Sequence, residues 1–256
     1  MQTSDLCQER RDLILEELRR NGKVVAAELS ERYGVSEDTI RRDLGELAAA
    51  RLLKRVHGGA LPLTPSRGPY YERDKQHLEV KPGLSLAASR LVKDGQLILF
   101  GGGTMNAEIA RNLPLDLRAT AVTTSPLIAL YLLEYTHVEV VMVGGPMNRR
   151  ELVTCGAEAT DKVRGFQADI CFLGVCGVHP EVGITSTLYE EVELVRALIE
   201  QSGEVIATLT ADKLGAIAPF YVASADNITH IVTEKTVPEE QLAPYRALGI
   251  QIVRAD

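Results

Sequence analysis

One stretch, Gly34-Val35-Ser36-Glu37-Asp38-Thr39-Ile40-Arg41-Arg42-Asp43-Leu44, limits what this chain can fold into more than any other. Gly34 can supply the positive φ of a tight turn after a helix. Ser36 is a good N-cap, because its hydroxyl accepts from backbone N–H groups that the first helical turn leaves unpaired. Glu37 and Asp38 complement the positive end of the helix that follows. Ile40, Leu44 and Leu47 recur at i, i+4 and i+7 and define one apolar face, with Thr39, Arg41, Arg42 and Asp43 expected off it. Upstream, Arg10–Arg20 reads as a first helix with Leu13, Ile14 and Leu18 turned inward, ended by Gly22. Val24–Tyr33 reads as a second, burying Ala26, Leu29 and Tyr33. Three short helices with a glycine turn before the third make a helix-turn-helix, whose last helix enters the major groove of DNA.

The segment Leu52–Leu61 alternates loosely and turns at Gly58-Gly59, which predicts a small hairpin wing. The candidate DNA contacts are therefore Ser36, Glu37, Thr39, Arg41 and Arg42 on the third helix, and Lys54, Arg55 and His57 on the wing. Net charge, −7, looks wrong for a DNA binder until it is resolved along the chain. Residues 1–60 hold 11 basic and 11 acidic side chains, while 41–60 hold five basic against two acidic. Positive charge is thus concentrated where phosphate contacts need it. The acidic remainder argues against an architectural protein that coats DNA without regard to sequence.

No apolar run approaches the ~18–20 residues of a membrane span, and residues 1–11 lack the apolar core of a signal peptide. A cytoplasmic chain with no membrane partner is the expectation. Cys7, Cys155, Cys171 and Cys176 form no CxxC pair, and no His–Cys cluster has zinc-like spacing. Free thiols, no metal and no cofactor are expected.

Residues 62–82, with Pro62, Pro65, Gly68, Pro69 and a charged run to Lys81, read as a linker between a domain at 1–61 and a second at 83–256. In the second, short apolar strands (Gln96–Phe100, Ala119–Thr123, Val138–Val143, Asp169–Val175, Val205–Leu209, Ile228–Val232) alternate with helices (to Leu113, Pro126–Glu134, Glu190–Gln201). That alternation predicts an α/β domain with a parallel sheet covered on both faces. Ligands in such sheets bind beyond the carboxyl ends of the strands. Four such ends carry glycines or hydroxyls: Gly101-Gly102-Gly103-Thr104, Thr123-Thr124-Ser125, Gly144-Gly145 leading to Arg149 and Arg150, and Gly174 to Gly177. The first, opening a helix, is suited to an anion, although it is neither a P-loop nor a GxGxxG turn.

Arg10, Ile14, Leu18, Gly22, Val24, Leu29, Gly34-Val35-Ser36, Thr39–Leu44, Leu47 and Arg55–Ala60 together resemble the DeoR-type repressor pattern. The resemblance implies a winged helix-turn-helix on a sensor domain similar to the ribose-5-phosphate isomerase and glucosamine-phosphate deaminase fold. It continues through Gly103-Thr104, Thr123, Ser125, Gly144-Gly145, Gly156, Asp169, Phe172-Leu173-Gly174, Gly177, Gly183-Ile184-Thr185, Glu190, Glu191, Arg196 and Lys213. The effector set implied is Gly102, Gly103, Thr104, Thr123, Thr124, Ser125, Gly144, Arg150, Gly177, Thr185, Glu191 and Lys213. Five positions depart from the family pattern. Where relatives have an acid, Thr, Asn, Lys and Asp, this chain has Gly101, Met105, Thr124, Val195 and Thr210. Fewer charges near the effector imply a pocket retuned to a less charged ligand.

The function that follows is a sequence-specific transcriptional regulator, a repressor of carbohydrate metabolism controlled by a sugar-derived or sugar-phosphate effector. Its partners are double-stranded operator DNA, that effector, and further copies of the chain as a dimer or tetramer. The alternative is a sugar-phosphate isomerase or deaminase carrying a DNA-binding head. Such chemistry needs a positioned acid–base group. His57, His77, His137, His179 and His230 fall in the wing, the linker, before a strand, at a turn and within a strand, and Glu191 is expected to hold ligand, so no catalytic residue is assigned.

Overall fold

The computed structural model describes residues 3–64, 68–135 and 137–256; Pro65 of the expected linker lies outside them. The N-terminal unit comprises α1 (Thr3–Asn21), β1 (Val24–Val25), α2 (Ala26–Tyr33), α3 (Glu37–Ala49), β2 (Leu53–Val56) and β3 (Gly59–Pro62). Its core joins Ile14 and Leu18 of α1 to Leu29 of α2, Ile40, Leu44 and Leu47 of α3, and Leu53 and Ala60 of the hairpin. Gly34 closes α2 in the left-handed region at φ 64, as the turn requires. The second helix is shorter than its pattern suggested. Val24 and Val25 pair antiparallel with Ala60 and Gly59, so a β-branched pair adds a third strand to the wing instead of a first helical turn. Leu13 is not part of the core and stands 43% exposed. Asp43, expected on the solvent side, is buried for a reason given below.

The described residues of 62–82 are packed, not open. They contain α4 (Tyr70–Asp74) and lead into α5 (Lys81–Ser89). The Tyr70 ring is buried in the core of the α/β body, and Lys81 Nζ donates to the carbonyls of Arg73 and Asp74 at 3.0 Å each. Those are carbonyls of the last turn of α4, and Lys81 caps the helix from the side, sharing the Arg73 oxygen with the Gln76 N–H. Pro82, which read as a breaker, sits in the first turn of α5 where its missing N–H costs nothing.

The body continues as β4 (Leu97–Phe100), α6 (Thr104–Arg111), β5 (Ala119–Thr123), α7 (Pro126–Leu132), β6 (Val138–Met142), β7 (Met147–Asn148), β8 (Val153–Thr154), α8 (Ala157–Arg164) and β9 (Ala168–Leu173). Then come β10 (Gly177–His179), β11 (Gly183–Ser186), α9 (Val192–Glu200), β12 (Ser202–Leu209), β13 (Phe220–Ala223), β14 (His230–Glu234), α10 (Glu239–Ala247) and β15 (Gln251–Ala255). Seven strands form one sheet in the order β15-β14-β12-β9-β4-β5-β6, and all its pairings are parallel. The strands are apolar on both faces because both are covered. Ile98, Phe100, Ile170 and Phe172 face α5, α6 and α7, with the Phe100 and Phe172 rings stacked 5.0 Å apart. Leu99, Cys171, Ala207 and Leu209 face α8, α9 and α10. A second sheet, β10-β11-β13, lies on this latter side.

The strand order reverses between β4 and β9. From β4 the chain winds outward through β5 and β6; from β9 it winds the other way through β12, β14 and β15. At such a reversal the connections leave in opposite directions and a crevice opens beyond the carboxyl ends of the two strands.

Candidate functional site

Two surfaces carry the candidate residues. On the N-terminal unit, Ser36 caps α3 by accepting from the Thr39 N–H at 3.3 Å. Arg41 is exposed but engaged by the first-turn acids, at 2.7 Å from Glu37 and 3.2 Å from Asp38. Arg42 is exposed and makes no ion pair among the described residues. Lys54, Arg55 and His57 are exposed on the wing, and the Arg55 guanidinium reaches back to Gly45 of α3, 3.6 Å from where a side chain there would start. Helix and wing thus present their cations together. Asp43 points the other way. It accepts from Arg10 Nε at 2.6 Å and Arg11 Nε at 3.1 Å, and Arg11 also pairs with Glu46 at 2.6 Å. Asp43 therefore ties α1 to α3 and is no DNA contact.

The second surface is a cavity of about 140 Å³ at the β4/β9 reversal. Gly101–Asn106 after β4, Thr124 after β5, Leu173–Cys176 after β9, and Thr208 and Thr210 at the end of β12 form its floor. Arg73, Gln76, His77 and Lys81 close it from the segment that reads as a linker. Asn106 fixes the reversal, its amide donating to the carbonyls of Phe172 at 2.8 Å and Gly101 at 3.0 Å. Gly174 lies so close to the partner loop that a Cβ would stand 2.0 Å from the Gly102 carbonyl oxygen. Gly174→Ala is expected to cost about 2 kcal/mol, since a backbone atom must move to admit the methyl; urea denaturation measures this.

Of the effector candidates, Gly102, Gly103, Thr104, Thr124, Glu191 and Lys213 line this cavity, whereas Thr123, Ser125, Gly144, Arg150, Gly177 and Thr185 do not. Three of the latter have backbone work instead. The Thr123 hydroxyl donates to Phe100 O and accepts from the Ser125 N–H, both at 3.1 Å, and Ser125 caps α7. The Thr185 hydroxyl donates to Gly177 O at 3.3 Å and accepts from the Ala218 N–H at 2.9 Å. The five positions that depart from the DeoR pattern, Gly101, Met105, Thr124, Val195 and Thr210, all line the cavity.

The polar atoms there are unusual. Among the described residues, every buried side-chain nitrogen or oxygen without a hydrogen-bond partner belongs to a residue of this cavity: Arg73 (Nε and Nη2), Thr124, Thr208 and Thr210. Arg73 Nη2 does lie 2.6 Å from Glu151 Oε2 as an ion pair, off the direction of its N–H bonds. Orphaned polar groups inside a protein each cost on the order of 1–3 kcal/mol, so a cluster of them marks a place where a polar partner belongs. Backbone strain points to the same place. Of the three non-glycine residues in the left-handed region among the described residues, His77 lines the cavity and Leu152 sits between two residues that do. Burial pushes Lys81 below its ordinary value, while Asp74 and Glu108 pull it back up. Burial pushes the Cys171 thiol up to about 12, which leaves no thiolate there at neutral pH. No group of three or more His, Cys, Asp or Glu side chains able to hold a metal ion is found among the described residues. Nor is any helix among them long and apolar enough to cross a membrane.

Residues 10–65 match the family described as DeoR-like helix-turn-helix domain, and residues 76–235 that described as DeoR C terminal sensor domain. The chain is 31% identical over 227 residues, 88% of its length and 89% of the relative's, to the HTH-type transcriptional regulator GlpR of Haloferax volcanii. It is 28% identical to the glycerol-3-phosphate regulon repressor of Escherichia coli K12, covering 90% and 92% of the two chains. Among solved structures, the full-length sorbitol operon regulator SorC of Klebsiella pneumoniae aligns over 96% of this chain and 99% of its own at 12% identity, with TM-score 0.44. Ribose 5-phosphate isomerase A of Methanocaldococcus jannaschii aligns over 53% of each chain at 18% identity, with TM-score 0.39.

Proposed function

This chain belongs to the DeoR family of DNA-binding transcriptional regulators, and from that premise we propose that its cavity senses a small hydroxyl-rich anion of the sugar-phosphate class and thereby sets its hold on an operator. The supporting observation is the set of orphaned polar groups in the cavity. Three unpartnered threonine hydroxyls suit the hydroxyls of a polyol or sugar, and the Arg73 guanidinium, with Lys81 and Lys213 nearby, suits an acidic group. The relative named a glycerol-3-phosphate regulon repressor is consistent with that class. At the five departing positions Gly, Met and Val offer no charge and Thr only hydroxyls, so the ligand meets packing and neutral hydroxyls there, and its acidic group is left to Arg73, Lys81 and Lys213.

A thermal-shift panel of sugars, sugar phosphates and sugar acids tests this. A ligand at about 100 times its Kd stabilises the folded chain by roughly 2.7 kcal/mol, so a member of the class should raise the midpoint visibly. Thr208→Val with Thr210→Val is expected to raise the midpoint of the free chain, because two orphaned hydroxyls disappear, and to erase the ligand-induced rise. A panel with no stabilising member, or a double variant that keeps the full rise, contradicts the assignment.

On this reading Ser36, Thr39, Arg41 and Arg42 of α3, with Lys54, Arg55 and His57 of the wing, meet the operator, and Glu37 orients Arg41. The chain works in the cytoplasm as a dimer or tetramer, because paired half-sites need paired heads. It regulates carbohydrate genes and does not turn its effector over; incubated with the chain, the effector is recovered unchanged.

A further inference from the structure

Among the described residues, the DNA-binding head touches the body along two short segments, and each is the continuation of a segment that lines the cavity. The first runs from Leu173–Cys176, in the cavity wall, to the turn after β10. There His179 is buried, and its Nδ1 accepts from the N–H groups of Glu181 at 3.1 Å and Val182 at 3.2 Å. The backbone of Gly22, in the turn that ends α1, neighbours its ring, and burial holds the imidazole below its ordinary value. Next to it, Lys23 Nζ of the head lies 2.6 Å from Glu181 Oε1. The second segment runs from Thr208, Thr210 and Lys213, in the cavity, to Gly215 and Ile217. A Cβ on Gly215 would stand 3.4 Å from Gly22 Cα, so the two backbones touch. Ile217 donates to Pro62 O at 3.0 Å and accepts from the Thr64 N–H at 2.9 Å, holding the strand that leaves the wing. The two segments are also joined to each other. Gly215 N–H donates to Val178 O at 2.8 Å, Tyr245 donates to the same oxygen at 2.7 Å, and the Thr64 hydroxyl donates to Cys176 O at 3.3 Å.

We infer that these paired segments are a latch that fixes the head on the body with a grip set by whether the cavity is filled. Thr208 and Thr210 carry hydroxyls that lack partners, and the head contact begins five residues beyond Thr210 at Gly215. A ligand that draws those hydroxyls inward moves a segment whose neighbours are close-packed and hydrogen-bonded on both sides, so the displacement passes to Gly215–Ile217 and, through Val178, to His179–Glu181. This inference rests on the cavity being the ligand site. Its test needs no ligand, so its failure is distinct from an empty binding panel.

Hydrogen exchange on the full chain, read by mass spectrometry, compares the wild type with two variants, one in the turn after β10 and one at Thr64, which bridges Ile217 of the second segment and Cys176 of the first. Glu181→Lys sets two ammonium groups against each other, and Thr64→Val removes the hydroxyl tie to Cys176 without changing shape. Each variant is expected to speed exchange about threefold or more both at Gly215–Ile217 and in the cavity segments 174–176 and 208–213, with β4 unchanged as the sign that the fold is intact. Adding Lys23→Glu to Glu181→Lys restores wild-type rates. Faster exchange confined to the head contact, no change anywhere, or a charge swap that restores nothing overturns the latch.

Discussion

Replacing Arg42 by alanine is expected to lower affinity for a specific operator by about 10- to 100-fold per head, the loss of a bidentate base contact worth roughly 1–3 kcal/mol. The expectation comes from what holds each arginine. Arg41 is already engaged by Glu37 and Asp38, so DNA must compete for it, and its removal also frees two carboxylates next to the phosphates. Arg42 is exposed beside it without an ion pair among the described residues, and its guanidinium can be given wholly to the groove. Because it packs on nothing, the variant keeps the wild-type melting curve. If Arg42 instead meets phosphate, affinity falls for every sequence alike and the slope of log affinity against log salt drops by about one. A gel-shift titration at several salt concentrations separates these outcomes, and unchanged affinity removes Arg42 from the interface.

Asp43→Ala, one residue further on, is expected to act through stability. Its carboxylate is 3% exposed and answers two guanidinium groups that are themselves largely covered, Arg10 at 15% and Arg11 at 21%. Deleting it leaves Arg10 without its carboxylate and Arg11 with Glu46 alone, and breaking one side of such a covered pair costs about 3 kcal/mol. The head is a unit of some 60 residues with a single small core, so a loss of that size is a large share of what holds it together. Circular dichroism should show an early helical transition that the wild type lacks, with the α/β body melting as before. Asp43→Asn keeps the size and two acceptor directions and should recover part of the loss. A single transition at the wild-type midpoint in Asp43→Ala contradicts the role assigned to this carboxylate.

These neighbouring residues illustrate what the chain discloses before it folds. The capped turn at Gly34–Ser36 and the Ile40–Leu44–Leu47 spacing are local signals, and the structure keeps both. Asp43 reads as one more surface charge, since its partners lie more than thirty residues upstream. Val24-Val25 likewise waits on Gly59 and Ala60 for its strand, and a period of 3.6 through such short segments does not distinguish the two outcomes. The parallel sheet was legible from its apolar runs, while α8, α10 and the short strands β7, β8 and β10 carried too little pattern to be seen. The cavity shows the same division. Gly102, Gly103 and Thr104 are visible because carboxyl ends of strands are where ligands bind. Thr208 looks like an ordinary strand residue and Thr210 stands out only as a departure from the family pattern; their unpartnered burial is what marks both as part of a site. Arg73 and Lys81 sat in a proline-flanked charged run, which solvent usually claims. The ion pair to Glu151 and the cap on α4 bring them inside.

The regulator's function depends on α3 and the wing reading a DNA sequence. Selection of bound duplexes from a random library by the full chain, at fixed salt, tests it most directly. The account predicts one enriched site, a repeated half-site spaced by whole helical turns, bound about 1,000-fold or more tighter than random duplex. Arg42→Ala should reduce that ratio without changing the fold. A library that emerges unenriched, with the chain holding every duplex equally well, would contradict it.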